Sequence, residues 1–154
     1  MPRNRTAPAD WLQLDHQLCF ALYSASLAMT KFYKPLLAPL GLTYPQYLVM
    51  LVLWEGDGLA VSQLGERLLL DSGTLTPLLK RLEAQGLVQR LRDTADERRV
   101  LLRLTAAGRA LKSRAQALPP AIARATGCGL DEIGALKTTL KALRRQITES
   151  TRAA

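Results

Sequence analysis

Apolar residues recur at alternating gaps of four and three from Leu18 through Leu22, Ala25, Met29, Phe32 and Leu36. This period predicts a long amphipathic helix over residues 11–38. Asp10 is placed to cap its start, and Pro39 with Gly41 to end it. Thr43, followed by Pro45, predicts the start of a second helix reaching about Glu55, where Gly56-Asp57-Gly58 stops it. Ser62 opens a short helix from Gln63 to about Leu69. Asp71 or Ser72 caps another from Gly73 to about Gln85, which Gly86 terminates. Two short helices joined by a tight turn make a helix-turn-helix. Two strand-like runs follow, Leu87–Asp93 and Arg99–Thr105, the second alternating Val100, Leu102 and Leu104 with Leu101 and Arg103. The polar link Thr94–Arg98 closes them into a hairpin, a wing. Ala106 to about Ala117 is again helical and runs on to Pro119-Pro120 with a kink or break. Thr126-Gly127-Cys128-Gly129 is a joint. Asp131 to about Thr148 forms a last amphipathic helix, striped by Ile133, Leu136, Leu140, Leu143 and Ile147. The expected fold is mainly α with a small β wing. It is a single winged helix-turn-helix domain over 1–154, with a lobe at about 43–105 between terminal helices at about 11–38 and 106–150.

A chain of 154 residues is long enough for one domain with its own core. The net charge of +8 and pI near 10.0 favour a polyanionic partner, nucleic acid or an anionic membrane surface. Placement narrows the choice: residues 80–112 carry nine Lys and Arg against four Asp and Glu. The last helix, with Lys137, Lys141, Arg144 and Arg145 opposite its apolar stripe, has the look of a membrane-surface helix. Packing in a dimer is the simpler reading. Met1-Pro2-Arg3-Asn4-Arg5 leads into no secretory apolar core, and no run is long enough to cross a bilayer, so a soluble cytoplasmic protein is expected. In that reducing compartment a permanent Cys19–Cys128 disulfide is not expected. Two distant cysteines and one histidine, His16, match no metal-ligand spacing, and no cofactor is expected.

In the second helix of the helix-turn-helix, Leu75, Leu78, Leu79 and Leu82 share a face and should pack inward. Ser72 and Gly73 at its start, then Thr74, Thr76, Pro77, Lys80 and Arg81, are left for a major groove. There threonine hydroxyls and methyls meet base edges, and the two cations meet phosphates or guanine. Pro77 loses one helical hydrogen bond, and its ring presses on the carbonyl of Gly73, where the backbone can yield. Arg98 and Arg99 lie at the wing tip, suited to a narrow minor groove, with Asp96 placed to orient Arg98 by a bidentate pair. Arg90, Arg92 and Arg103 lie on the strands. Solvated basic residues occur on many helices and hairpins. A helix-turn-helix followed directly by a basic wing is a more specific pattern, and points to double-stranded DNA.

Four segments resemble the MarR family of winged-helix repressors: Leu14–Tyr23, Tyr44–Met50, Asp71–Leu79 and Asp96-Glu97-Arg98. The resemblance is strongest to its organic hydroperoxide sensors of the OhrR type. It covers roughly residues 12–150, with Leu14-Asp15-His16-Gln17-Leu18-Cys19-Phe20-Ala21-Leu22-Tyr23 specific to the peroxide sensors. It implies a non-enzymatic homodimer whose terminal helices interlock, bound to a pseudo-palindromic operator. Cys19 takes the peroxide-reactive role. Cys128, which matches in position alone, takes the resolving role of the two-cysteine subtype. Tyr33 and Tyr44 are implied as hydrogen-bond donors to the thiolate. An intersubunit Cys19–Cys128 disulfide is also implied, one that rotates the paired wings off half-sites one helical turn apart.

Peroxides attack a thiolate, and oxidation gives sulfenic acid and then a disulfide. With the helix starting near residue 11, Cys19 lies beyond the first turn, where the helix dipole contributes little. Asp15 would oppose the thiolate and a protonated His16 assist it. Tyr33 lies fourteen residues further along the same helix, roughly 21 Å by the helical rise, so a Tyr33 that donates to Cys19 comes from the other subunit. Two other readings fit the pattern less well. One is a MarR-type repressor released by a small apolar or phenolic effector, with passive cysteines. The other is a thiol peroxidase, whose usual alternation of strands and helices is missing here.

Overall fold

The computed structural model describes residues 11–154; the Asp10 cap lies outside the described residues. The chain divides into two compact units, one ending at Ser113 and the other spanning Arg114–Ala154.

The first unit opens with a 3-10 turn, Leu14–His16, and the helix proper, α1, runs Leu18–Leu37. Its start is therefore seven residues later than the apolar period predicts. Gln17 is extended (ψ 114°), and its side-chain amide donates to the carbonyls of Trp11 and Gln13. That amide takes up carbonyls that a continuous helix would use itself, so winding restarts at Leu18. Gly41, at φ +69°, ends the segment in the left-handed region that glycine reaches without strain.

Helix α2, Tyr44–Glu55, is set by a complete capping box: the Gln46 amide donates to Thr43 Oγ1 at 3.4 Å, and the Thr43 amide to Gln46 Oε1 at 3.0 Å. Helix α3, Val61–Leu68, starts earlier than Ser62 suggests. Ala60 has no side chain to cap with, and Gln63 Oε1 instead accepts from the Ala60 amide at 2.9 Å. Helix α4, Ser72–Ala84, takes Asp71 as its cap, Oδ1 accepting from the Thr74 amide at 2.7 Å. Strands β1, Val88–Arg92, and β2, Val100–Leu104, pair antiparallel with Val88 opposite Leu104 and Arg92 opposite Val100. Helix α5, Ala106–Ala115, follows at once.

The core is Val49, Met50 and Leu53 of α2, Leu64 of α3, Leu75, Leu79 and Leu82 of α4, and Val88 and Leu102 of the hairpin, all buried. Each such side chain contributes roughly 1.5–3 kcal/mol. Helix α1 adds only Leu37. Its Leu18, Leu27, Met29 and Phe32 remain exposed.

In the second unit α6 spans Leu118–Thr126. Of the kinked or broken helix expected at Pro119-Pro120, the structure has the broken one: α5 ends at Ala115, and the two prolines do not lie inside a continuous helix. They sit in the first turn of a new one, where a missing N–H loses nothing. After Gly127, at φ +66°, α7 runs Leu130–Ala153, longer at both ends than expected. Asp131 and Glu132 lie in its first turn and Arg152 in its last, matching the helix dipole. None of its residues is buried, and Leu130, Leu136, Leu140 and Ile147 stand exposed. No single helix among the described residues is long and apolar enough to cross a membrane.

Candidate redox site and nucleic-acid interface

Cys19 is exposed and is the second residue of α1. The late start of the helix moves it from the expected mid-helix position into the first turn. Amides there have no intrahelical acceptor, and the dipole favours negative charge. The Ala21 amide is the first to bond back, to Gln17 at 3.2 Å. Asp15 and His16 belong to the preceding 3-10 turn, so they are not one helical turn below Cys19 as the unbroken helix implied.

Tyr33 of α1 meets Tyr44 and Tyr47 of α2, with ring centroids 4.7 and 5.7 Å from Tyr33 and 6.4 Å between the two. Trp54 extends the cluster edge-on, 6.4 Å from Tyr47. Burial, then the neighbouring Tyr44 and Tyr47, push the Tyr33 hydroxyl up to about 12. Burial raises Tyr44, and burial together with Tyr44 raises Tyr47. All three hydroxyls therefore stay protonated, as donors, at neutral pH. Tyr33 and Tyr44, the two tyrosines that the resemblance implies as thiolate donors, lie against each other. Cys19 and Tyr33 both lie on α1, so the ~21 Å of helical rise keeps this pair apart within one chain.

Cys128 follows the left-handed Gly127 at the end of α6, half-buried. Its amide donates to Thr126 Oγ1 at 3.3 Å and its thiol to the Thr126 carbonyl at 3.5 Å.

On α4, Ser72, Thr74, Pro77, Lys80 and Arg81 are exposed and Thr76 is half-buried, opposite the buried Leu75, Leu79 and Leu82. The Thr74 amide holds the Asp71 carboxyl below its usual range. The turn before α4 is tight. Leu69 ends α3 at φ +59°, the Leu70 amide bonds the Gly65 carbonyl at 3.0 Å, and a Cβ on Gly65 would lie 2.9 Å from the Leu70 carbonyl oxygen. At the wing tip the Arg98 side chain is 95% exposed. Asp96 does not clamp it bidentately. Asp96 Oδ1 accepts from the Arg98 backbone amide at 3.1 Å and lies 3.7 Å from Nε, so it shapes the turn. Arg99 approaches Asp93 at 3.8 Å. Arg90 donates through Nε to Glu83 of α4 at 3.2 Å. No group of three or more His, Cys, Asp or Glu among the described residues is arranged to hold a metal ion.

Residues 31–115 match the family model described as transcriptional regulator SarA/Rot. The chain is 53% identical over 144 residues to the HTH-type transcriptional regulator TtmR of Methylorubrum extorquens, covering 94% of this chain and 74% of that protein. It is 50% identical over 134 residues to the organic hydroperoxide resistance transcriptional regulator of Bacillus subtilis, covering 87% and 91%. The chain belongs to the MarR-like, SarA/Rot-type winged-helix transcriptional regulators. Its fold matches AbfR of Staphylococcus epidermidis with a TM-score of 0.74 at 34% identity, covering 92% of this chain and 97% of that one. AbfR has been solved reduced and bound to DNA, overoxidised and bound to DNA, and in a disulfide-formed state. The family and the relatives are DNA-binding regulators, not enzymes.

Three side chains of this winged-helix regulator matter more than its sequence reveals. Glu83 reads as an ordinary surface acid, yet it takes the Arg90 amide and guanidinium, and Arg90 lowers its carboxyl in return. Asp57 reads only as a helix stop, yet it accepts from the amide of Leu104 at 2.9 Å. Trp54 donates its indole N–H to the Gly108 carbonyl at 2.9 Å. The partners of Asp57 and Trp54 lie 47 and 54 residues away, beyond any local pattern.

Proposed function

We propose that this regulator is a homodimeric repressor that binds a pseudo-palindromic operator while Cys19 is reduced and releases it when organic hydroperoxide oxidises Cys19. The observation that carries the reading is the position of Cys19: an exposed thiol in the first turn of α1, on the helix that leaves its apolar face uncovered. The exposed stripes of α1 and α7 are the surfaces that a second copy covers. In that dimer Tyr33 and Tyr44 of one subunit donate to the Cys19 sulfur of the other, which agrees with their protonated hydroxyls and with the length of α1.

The chemistry balances in two steps. The Cys19 thiolate attacks the distal oxygen of ROOH, the O–O bond breaks, and the alkoxide takes a proton from water to leave as ROH, giving Cys19 sulfenic acid. The Cys128 sulfur of the partner subunit then attacks the Cys19 sulfur. The S–O bond breaks, and the hydroxyl leaves as water with the Cys128 proton. Each disulfide pulls the terminal helices of the dimer together and turns the two reading heads. Each head presents Ser72, Thr74, Thr76, Pro77, Lys80 and Arg81 to the major groove and Arg98 and Arg99, with the turn fixed by Asp96, to the minor groove. The hydroperoxide name of the Bacillus subtilis relative and the AbfR structures, one reduced and bound to DNA and one with its disulfide formed, support this reading.

The test is a gel shift on a duplex selected by the wild-type protein from a random-sequence pool. Cumene hydroperoxide should release the duplex and dithiothreitol restore it, and Cys19→Ser should stay bound throughout. On a non-reducing gel, peroxide should give a covalent dimer that needs both thiols. Release that persists in Cys19→Ser would refute the reading.

A further inference from the structure

A two-stranded hairpin is marginally stable alone, and its outer edge presents unpaired amides. Here the outer edge of β2 is taken up by the loop that follows α2. The Leu102 amide donates to the Leu59 carbonyl at 2.8 Å, and Ala60 forms a bridge with Leu101. The next outward amide on that edge is two residues on, at Leu104. Gly58 has turned the loop away by then, at φ +81°. The Asp57 carboxylate reaches back and supplies the missing acceptor, 2.9 Å from the Leu104 amide. The same Oδ1 accepts from the Gly58 amide at 2.9 Å, which fixes the side chain in place. Arg109 donates to the Leu104 carbonyl at 2.9 Å and stands 4.0 Å from the other carboxylate oxygen.

We infer that Asp57 is a positioning residue for DNA binding: it anchors the base of the wing to the end of α2 and so sets where Arg98 and Arg99 meet the groove. The inference rests on the wing reading proposed above. Leu104 lies four residues along β2 from Val100, roughly 13 Å, and Arg98 and Arg99 sit at the turn just beyond, so a rotation of about ten degrees at the base carries the tip by about 2–3 Å. That displacement is enough to take a guanidinium out of hydrogen-bond range. The anchor needs an acceptor at this point and not a charge, because the Arg109 contact is at the limit of an ion pair.

The experiment is a double-mutant cycle on the selected duplex with the reduced full-length protein. Asp57→Ala should weaken binding about tenfold and Asp57→Glu, which displaces the acceptor by one methylene, several-fold. Asp57→Asn, which keeps Oδ1, should bind within about twofold of wild type. Arg98→Ala with Arg99→Ala should weaken binding by itself, and adding Asp57→Ala to that pair should change little. The rate of Cys19 sulfenylation by cumene hydroperoxide should be the same in the Asp57 variants as in wild type, since a general loss of fold would move it. An Asp57→Ala loss of equal size with and without the two arginines overturns the inference, as does Asp57→Asn binding no better than Asp57→Glu. If Asp57→Ala fails to fold, the Asn and Glu pair decides. If the double arginine variant binds like wild type, the wing reading fails and the Asp57 inference fails with it. If the arginines matter and Asp57 does not, the inference alone fails.

Discussion

Glu83 on α4 holds Arg90 on β1 three times: through the Arg90 amide at 3.1 Å, Nε at 3.2 Å and Nη2 at 3.5 Å. The wing is thus tied to α4 through the middle of β1 and to the α2 loop through the base of β2. A guanidinium occupied in this way is not available to phosphate.

The salt dependence of DNA binding should reveal that difference. Each cation released from a phosphate contact changes the slope of log K against log salt by about 0.9. Lys80→Ala should reduce the slope by about one per subunit, while Arg90→Gln should leave it unchanged and lower affinity only through the wing's attachment. Binding titrations at four salt concentrations check both.

Alkaline pH should unfold the protein through its tyrosine cluster. In the unfolded chain tyrosine ionises near 10, whereas the folded Tyr33 holds its proton to about 12, with Tyr44 and Tyr47 also raised. Between those values the unfolded state has lost protons that the folded state keeps, so stability is full below about pH 10 and falls as pH rises toward 12. Urea midpoints from pH 8 to 11 should decline beyond pH 10, and Tyr33→Phe should flatten the decline.

Gly108 has no room for a side chain: a Cβ there would lie 2.1 Å from the Leu87 carbonyl oxygen. Gly108→Ala must push α5 off the start of the hairpin, and its carbonyl away from Trp54. A loss of about 3 kcal/mol is expected, at the upper end for overpacking. Denaturant unfolding measures it, and a shift in tryptophan emission should accompany it.

Leu69 carries an exposed side chain in a left-handed backbone, where a Cβ costs about 1–2 kcal/mol. Leu69→Gly relieves that strain and gives up some unfolded-state restriction. A net gain of about 0.5–1 kcal/mol is expected, raising Tm by about 2–3 °C in a chain of this size. A lower Tm would show that the leucine side chain holds the turn by contacts of its own.

The order of elements, the inward leucines of α4 and its outward polar residues were legible because each is periodic and local. The caps at Thr43 and Asp71 were legible for the same reason: acceptor and amide are three residues apart. The start of α1 was not. Leu14, Trp11 and the stripe from Leu18 continue one apolar pattern, and only the competition of the Gln17 amide for two nearby carbonyls interrupts it. Ser62 reads as the opening of α3, but the helix starts at Val61 and its cap is built by Gln63, on the far side of the first turn. The arrangement around Asp57 depends on a carboxylate meeting an amide 47 residues on, which no period encodes.

The break at Gln17 has a consequence for the sulfur itself. Were residues 14–17 to wind smoothly onto α1, the same cysteine would become an interior helical position, its amide bonded to Asp15 and the positive pole moved a full turn upstream. The place where coil gives way to helix is thus an adjustable setting, held by the seven residues that precede it.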